Sequence, residues 1–306
     1  MHHARKRSPD VGHSQNMLLV RIANLIAVLV PFLGLIAAII LLWGIALSWP
    51  ILMVFGIMYV LTAFGITVGY HRLFTHKSFK TNKPMQVVFA VLGSMSAQGP
   101  VINWVADHRR HHQHSDDEGD PHSPATHGGG LWGSIKGGWH AHMGWLFKSP
   151  PTDHERYVKD LNKDRLIVWM NRLFPVWVVL GMLIPAVLGG VLTLSWSGAL
   201  LGFIWGGLVR VFFVHHVTWS VNSICHMWGT QPFESHDESR NNAIVGVLAM
   251  GEGWHNNHHA FPTSARHGLR WWEIDGSWML IWAMSKVGLA WDIKRPSPDR
   301  ILSKAV

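Results

Sequence analysis

Thiol chemistry is almost missing from this chain, which has one cysteine, Cys225, in 306 residues. That excludes an intramolecular disulfide and any Cys-rich zinc or iron–sulfur site. Charge is scarce as well. Only 14% of residues are Asp, Glu, Lys or Arg, where a soluble domain carries about a quarter. No long basic tract stands apart from the apolar blocks, so the net charge of +8 points to a membrane surface and not to nucleic acid. There is also no dinucleotide fingerprint and no segment suited to bis-histidine haem. What is abundant is apolar residues, 48% and gathered in blocks, with 18 tryptophans and 22 histidines. Tryptophan suits the headgroup level of a bilayer. The histidines need a chemical explanation.

A hydrocarbon core of about 30 Å takes about 20 apolar residues as helix. Four blocks qualify, at about 17–42, 45–68, 174–194 and 197–217. Arg21 can snorkel from the first. The links "WGIALSWP" (43–50) and "TLSWSG" (193–198) are short and hold no Lys or Arg. The segments outside the spans hold nearly all the basic residues, so both tight hairpins are expected outside and both termini inside. The fold class predicted is an all-α membrane protein: four transmembrane helices in two hairpins, with a cytoplasmic helical cap made from 71–173 and 218–295. Residues 1–16 are expected to be a disordered basic segment, and 296–306 a tail. The first apolar block is too long for a signal h-region and is read as an uncleaved anchor. Arg210 falls inside a span and is expected to face the bundle interior. Two weaker apolar stretches, about 85–105 and 278–289, are expected to be interfacial or partly buried helices.

Four histidine sets sit at the expected cytoplasmic ends of these spans. "HRLFTH" contributes His71 and His76, and "DHRRHH" contributes His108, His111 and His112. "NSICH" places Asn222 one helical turn before His226, and "GEGWHNNHHAFP" holds His255, His258 and His259. In a helix, residues three and four apart share a face, so each triplet converges. Neutral imidazoles are metal ligands, and nine with an asparagine exceed what one ion can use. Two metals with four or five ligands each account for the number. Two zinc sites would leave histidines over, while imidazole suits iron, copper and nickel alike. The Glu-x-x-His pairs of carboxylate di-iron bundles are missing. A nitrogen-rich di-iron centre that activates O2 is the preferred reading.

HxxxxH, HxxHH and HxxHH, with one further histidine between the last two, resemble the integral-membrane fatty acyl desaturases. "DHRRHHQHSDDEGDPHSP", "NSICHMWG", "GEGWHNNHHAFP" and "HGLRWWEIDGSWMLIWAMSKVGLAWD" are similar to the acyl-CoA Δ9 (stearoyl-CoA type) branch, over about residues 17–295. The resemblance implies two irons held by His71, His76, His108, His111, His112, His226, His255, His258 and His259, with Asn222 acting through a water. It implies O2-dependent Δ9 desaturation of a saturated long-chain acyl group carried by CoA, with an acyl-lipid substrate as the alternative. Electrons would come from a separate ferredoxin-, rubredoxin- or cytochrome-like donor with its reductase. The compact length without a fused cytochrome suggests a bacterial inner-membrane enzyme. One stretch departs from the family: "ATHGGGLWGSIKGGWHA" (125–141) is a Gly-rich insertion, expected to alter the cap near the headgroup site.

Asp107 and Glu252 are candidates to orient ligating imidazoles, against a surface cap or salt bridge at even weight. Trp104, Trp145 and Trp254 are candidate walls of an acyl tunnel, with interface anchoring as the plainer role. Arg109 and Arg110, like Lys77 and Lys80, could meet CoA phosphates or simply be positive-inside charges. His215 and His216 are assigned to packing or support, and His122 and His142 to structure. His114, His127, His140, His154, His236 and His267 receive no role, Cys225 is read as packed, and the acidic run at 116–120 as a solvated loop. Rival readings are a membrane di-iron hydroxylase acting on fatty acids, alkanes or carotenoids, a metal transporter or sensor, and a bis-His cytochrome. A transporter would need ligands along a path within the spans, and a cytochrome would place single histidines inside helices.

Overall fold

The computed structural model describes residues 10–42 and 48–306, with side chains from 17 to 40 and from 48 onward. Most of the expected N-terminal segment and most of the first hairpin link therefore lie outside the described residues. Within them the protein is helical, with no strand beyond isolated bridges such as Lys80 to Trp291.

Four helices are long and apolar enough to cross a membrane: Met17–Ile40, Trp49–Thr75, Phe174–Thr193 and Trp196–His226. The first belongs to α1 (Asp10–Leu42), which starts inside the segment expected to be disordered. The second span is α2 (Trp49–Phe64) continued by a π-helix at Gly65–Thr75. The second and fourth spans thus run beyond their expected ends at 68 and 217. Each extension carries polar ligand candidates out of the apolar block and into the cap. Outward side chains of the spans are apolar and bare, among them Val187 at 63% and Leu200 at 59% exposure. A lipid environment accounts for such a surface.

The stretch expected as one helix at 85–105 is two, α3 (Lys83–Met95) and α4 (Val101–His114). Gly99 breaks them with φ +108°, and Pro100 caps the second. α3 lies against α2 so closely that a Cβ on Gly65 would overlap the backbone of Leu92 and Gly93. Arg210 is fully buried and donates to the carbonyls of Gly206 (3.0 Å), Met95 (2.6 Å) and Gly181 (2.7 Å). Its partners are carbonyls and not an acid. They bind the fourth span, the third span and the end of α3 together, as polar groups within a bilayer must be satisfied internally.

A single core of Phe79, Phe89, Val105, Ile167, Met170 and Ile281 joins the span ends to the cap. The tail at 296–306 is not loose. It forms a helix at Pro298–Ser303, and the Glu234 amide donates to the Lys304 carbonyl and the Val306 amide to that of Pro232. Lys304 Nζ also donates to the Ala260 carbonyl, directly behind the last histidine set.

Candidate metal centre

The π-helix is what lets His71 and His76 meet. Five residues along an α-helix rotate a side chain to a different face, whereas a π-turn closes i to i+5. The His76 amide donates to the His71 carbonyl at 3.1 Å, and the two rings lie 4.7 Å apart. α4 supplies His108, His111 and His112 at the spacing that shares a helix face. The short helix His255–Ala260 supplies His255, His258 and His259. Gly251, just before it, has φ +112°, and a Cβ there would overlap the Asp275 carboxylate paired with Arg72. Only glycine lets that ion pair pass beneath the turn.

The nine histidines fall into two buried or half-buried groups. His71, His76, His108, His112 and His258 form one, and His111, His226, His255 and His259 the other, with the ligand atoms of each group all within 4.8 Å of one another. Several Nε2 atoms face each other: His71 to His258 at 3.1 Å, His112 to His258 at 2.9 Å and His108 to His112 at 3.1 Å. His226 to His255 is 3.0 Å and His111 to His259 is 3.4 Å. Nitrogens bound to one metal at about 2.0–2.1 Å and 90–110° apart would be separated by such distances. His76 Nε2 is buried without a partner. Both groups therefore fit a metal ion.

The outer nitrogens explain the tautomers. His111 Nδ1 donates to Asp120 at 2.9 Å, His226 Nδ1 to Asp116 at 2.8 Å and His259 Nδ1 to Asp237 at 2.5 Å, and His71 Nδ1 lies 2.6 Å from the Glu252 carboxylate. A proton fixed on Nδ1 leaves the Nε2 lone pair for a metal. Glu252 is held in turn by Arg72, which also pairs with Asp275 at 2.9 Å, and by His267 at 3.1 Å. Burial alone would raise Asp120 and Asp237, but their histidines outweigh it and hold both below the ordinary carboxylate value. Burial and neighbouring imidazoles hold His108, His112, His255 and His258 well below 6.5. They are neutral at pH 7, as ligands must be.

The acidic run at 116–120 is thus not simply a solvated loop. Asp117 and Glu118 are exposed, but Asp116 and Asp120 turn inward to His226 and His111. Asp116 lies 110 positions from His226 and Asp237 lies 22 from His259, separations that no local motif spans. Asp107 accepts from Thr152 at 2.6 Å, and its partner is that hydroxyl and no imidazole.

Two spaces flank the histidines. A narrow apolar cavity is lined by Tyr59, Ala63, Ile66, Val217 and Val221, and reaches His71, His108, His255 and Asn222. Trp104 lines it with its ring stacked 5.0 Å from His108. Trp145 packs on His122 instead, and buried Trp254 donates to the Ile274 carbonyl. The other space is a polar basin that reaches His76, His112 and His259, with Arg109 on its wall. Arg109 is committed to Asp160 and to the carbonyls of Phe74 and Tyr157, and Arg110 to those of Gly119 and Pro150. Lys77 pairs with Asp160 and Lys80 with Asp292.

The family profile described as fatty acid desaturase matches residues 47–283, which takes in both histidine groups. The chain belongs to the fatty acid desaturase family. This desaturase is 47% identical over 277 residues to a hex-5-enoyl-[acyl-carrier protein] acetylenase of Moorena producens, covering 90% of this chain and 86% of that one. It is 42% identical to an sn-1 stearoyl-lipid 9-desaturase of Synechocystis sp., over 84% of this chain and 76% of the relative. An acyl-CoA C20 Delta5-desaturase of Anemone leveillei is 39% identical, over 82% and 76%. Those three relatives are named for three different carriers of the acyl chain. The desaturase is a membrane protein with histidine groups able to hold metal ions.

Proposed function

We propose that this desaturase removes two hydrogens from neighbouring carbons of a saturated long-chain acyl group on a membrane lipid, at the Δ9 position, with reduction of O2 to two waters. The apolar cavity that ends on ligand histidines carries this reading. Tyr59 on its wall would serve as a stop, and its hydroxyl donates to the Leu248 carbonyl at 2.8 Å. His71 lies twelve residues further along the same span. A methylene chain offers no polar landmark, so depth against such a stop sets which carbons reach the site. Ile66, Val217 and Val221 keep water from the reacting carbons.

His71, His76, His108, His112 and His258 would hold one iron. His111, His226, His255 and His259, with Asn222 through a water, would hold the other. When bound, the irons supply the O2-dependent oxidation. Glu252, Asp120, Asp116 and Asp237 keep the Nδ1 protons in place, so each Nε2 stays a ligand. Two electrons per turnover come from a separate ferredoxin-, rubredoxin- or cytochrome-like donor. A lipid carrier is preferred over acyl-CoA for two reasons. Arg109 and Arg110 are already committed inside the fold, and relatives at 42% and 41% identity are sn-1 stearoyl-lipid 9-desaturases. The charge pattern supports a cytoplasmic placement of the cap.

The test is the fatty-acid profile of a host expressing the chain with a compatible reductase, beside His258→Ala. A new cis-Δ9 monoene in membrane lipid, lost in the variant, is expected. A hydroxy acid instead would identify the chain as a hydroxylase. Purified enzyme given stearoyl-CoA or a stearoyl phospholipid separates the carriers, and turnover of the CoA ester alone would overturn the lipid assignment.

A further inference from the structure

The Gly-rich insertion folds as α5 (Gly130–Trp139) and has two unlike faces. At about 100° per residue, Gly133 and Gly137 fall together on one side. Each meets backbone so closely that a Cβ would overlap it: the Gly128 carbonyl for Gly133 and the Pro124 carbonyl for Gly137. Leu131, Trp132, Ile135 and Trp139 occupy an arc on the opposite side, with exposures of 77%, 73%, 50% and 60%. Among the described residues nothing covers them. Lys136 and, further on, Lys148 are exposed beside this face.

The surroundings of α5 identify what covers it. Directly after it, His142 bonds Ser223 at 3.0 Å and His216 at 2.9 Å, both on the fourth span. The Leu146 carbonyl then accepts from Asn24 of the first span at 2.7 Å. The segment is therefore fastened to the first and fourth spans near the ends that enter the cap. Tryptophans at headgroup depth and lysines beside them are the composition of a helix lying in the membrane surface.

We infer that α5 is a membrane-surface foot, whose Leu131–Trp139 face sits among the headgroups and upper acyl carbons of an anionic bilayer. The glycine face holds the foot against the strap at 124–128. That strap follows Asp116, Asp120 and His122, which contact the four-histidine group, so lipid contact is carried to within a few residues of it. The inference depends on the membrane placement of the spans and not on the reaction.

The test exploits the single buried cysteine. Ile135→Cys and Ser134→Cys are each labelled with an environment-sensitive fluorophore in the full-length protein, in vesicles of phosphatidylcholine and phosphatidylglycerol. The unaltered chain should take up no label, because Cys225 has 0% exposure. The expected result is an Ile135 label quenched by lipid with a shallow nitroxide and several-fold less open to iodide than the Ser134 label. If both labels meet iodide equally and ignore the nitroxide, α5 faces water and the inference falls. If both are quenched equally by lipid, α5 is immersed and has no surface orientation, which also overturns it. Both readouts are independent of turnover.

Discussion

At the scale of single residues, the site is decided by carboxylates as much as by histidines. Removing a partner that holds a ligating imidazole weakens metal binding by about 10- to 100-fold. Asp237→Asn and Asp120→Asn should each lower iron retention by that order in a chelator challenge, while exposed Asp117→Asn should not. Protons compete for the same nitrogens. His108, His112, His255 and His258 are held well below 6.5, by burial first and by neighbouring imidazoles second, and His259 is lowered to about 4. Below 6.5 the unfolded chain therefore binds more protons than the folded one. His111, raised beside Asp120, works against this, but the lowered histidines outnumber it, so stability of the metal-free protein should fall as pH drops through about 6.5 and go on falling until the folded values are passed. Thermal midpoints at pH 7.5 and 5.5 check this, with the lower value expected at 5.5. The histidine motifs were visible in the sequence because each is local. Asp116 and Asp237 were not, because only the folded cap brings them to His226 and His259. His267, given no role by spacing, lies 3.1 Å from Glu252.

At the scale of elements, the four spans were legible in hydropathy, but two of their ends were not. An apolar block stops where the apolar residues stop, and neither His71 nor His226 belongs to one. The π-helix at Gly65–Thr75 continues the second span beyond its block, and it turns an i, i+5 pair that α-helical geometry would separate into neighbours. The break between α3 and α4 falls at Gly99–Pro100 inside the apolar stretch at 85–105, where hydropathy alone marks no boundary. Turn geometry can be tested at Gly251. Alanine there meets both a positive φ and the Asp275 carboxylate. Gly251→Ala should destabilise by more than about 1 kcal/mol, read as a lower thermal midpoint together with lower iron content. An unchanged midpoint would show that the Arg72–Asp275 pair can move aside.

At the scale of the whole molecule, the histidines form a wall between a dry space and a wet one. The dry side is set by Tyr59 and Ala63 on one span and Val217 and Val221 on another. Filling it should shorten the chains accepted: Ala63→Phe should move the product profile towards shorter monoenes with iron content unchanged, by gas chromatography of host lipids and metal analysis. The four spans could be read from hydropathy, but the cavity could not, because its lining is drawn from spans far apart in sequence. The wall also bears on how the protein matures. His76, His112 and His259 open on the basin while His71, His108 and His255 face the acyl side. A chain already inserted, even with a lipid tail in its cavity, keeps an aqueous approach to both groups. Loading and stripping need not wait for an empty cavity or an unfolded cap. Chelator should remove iron at the same rate with and without a saturating unreactive acyl lipid, and newly translated apoprotein should be completed from the water side after membrane insertion.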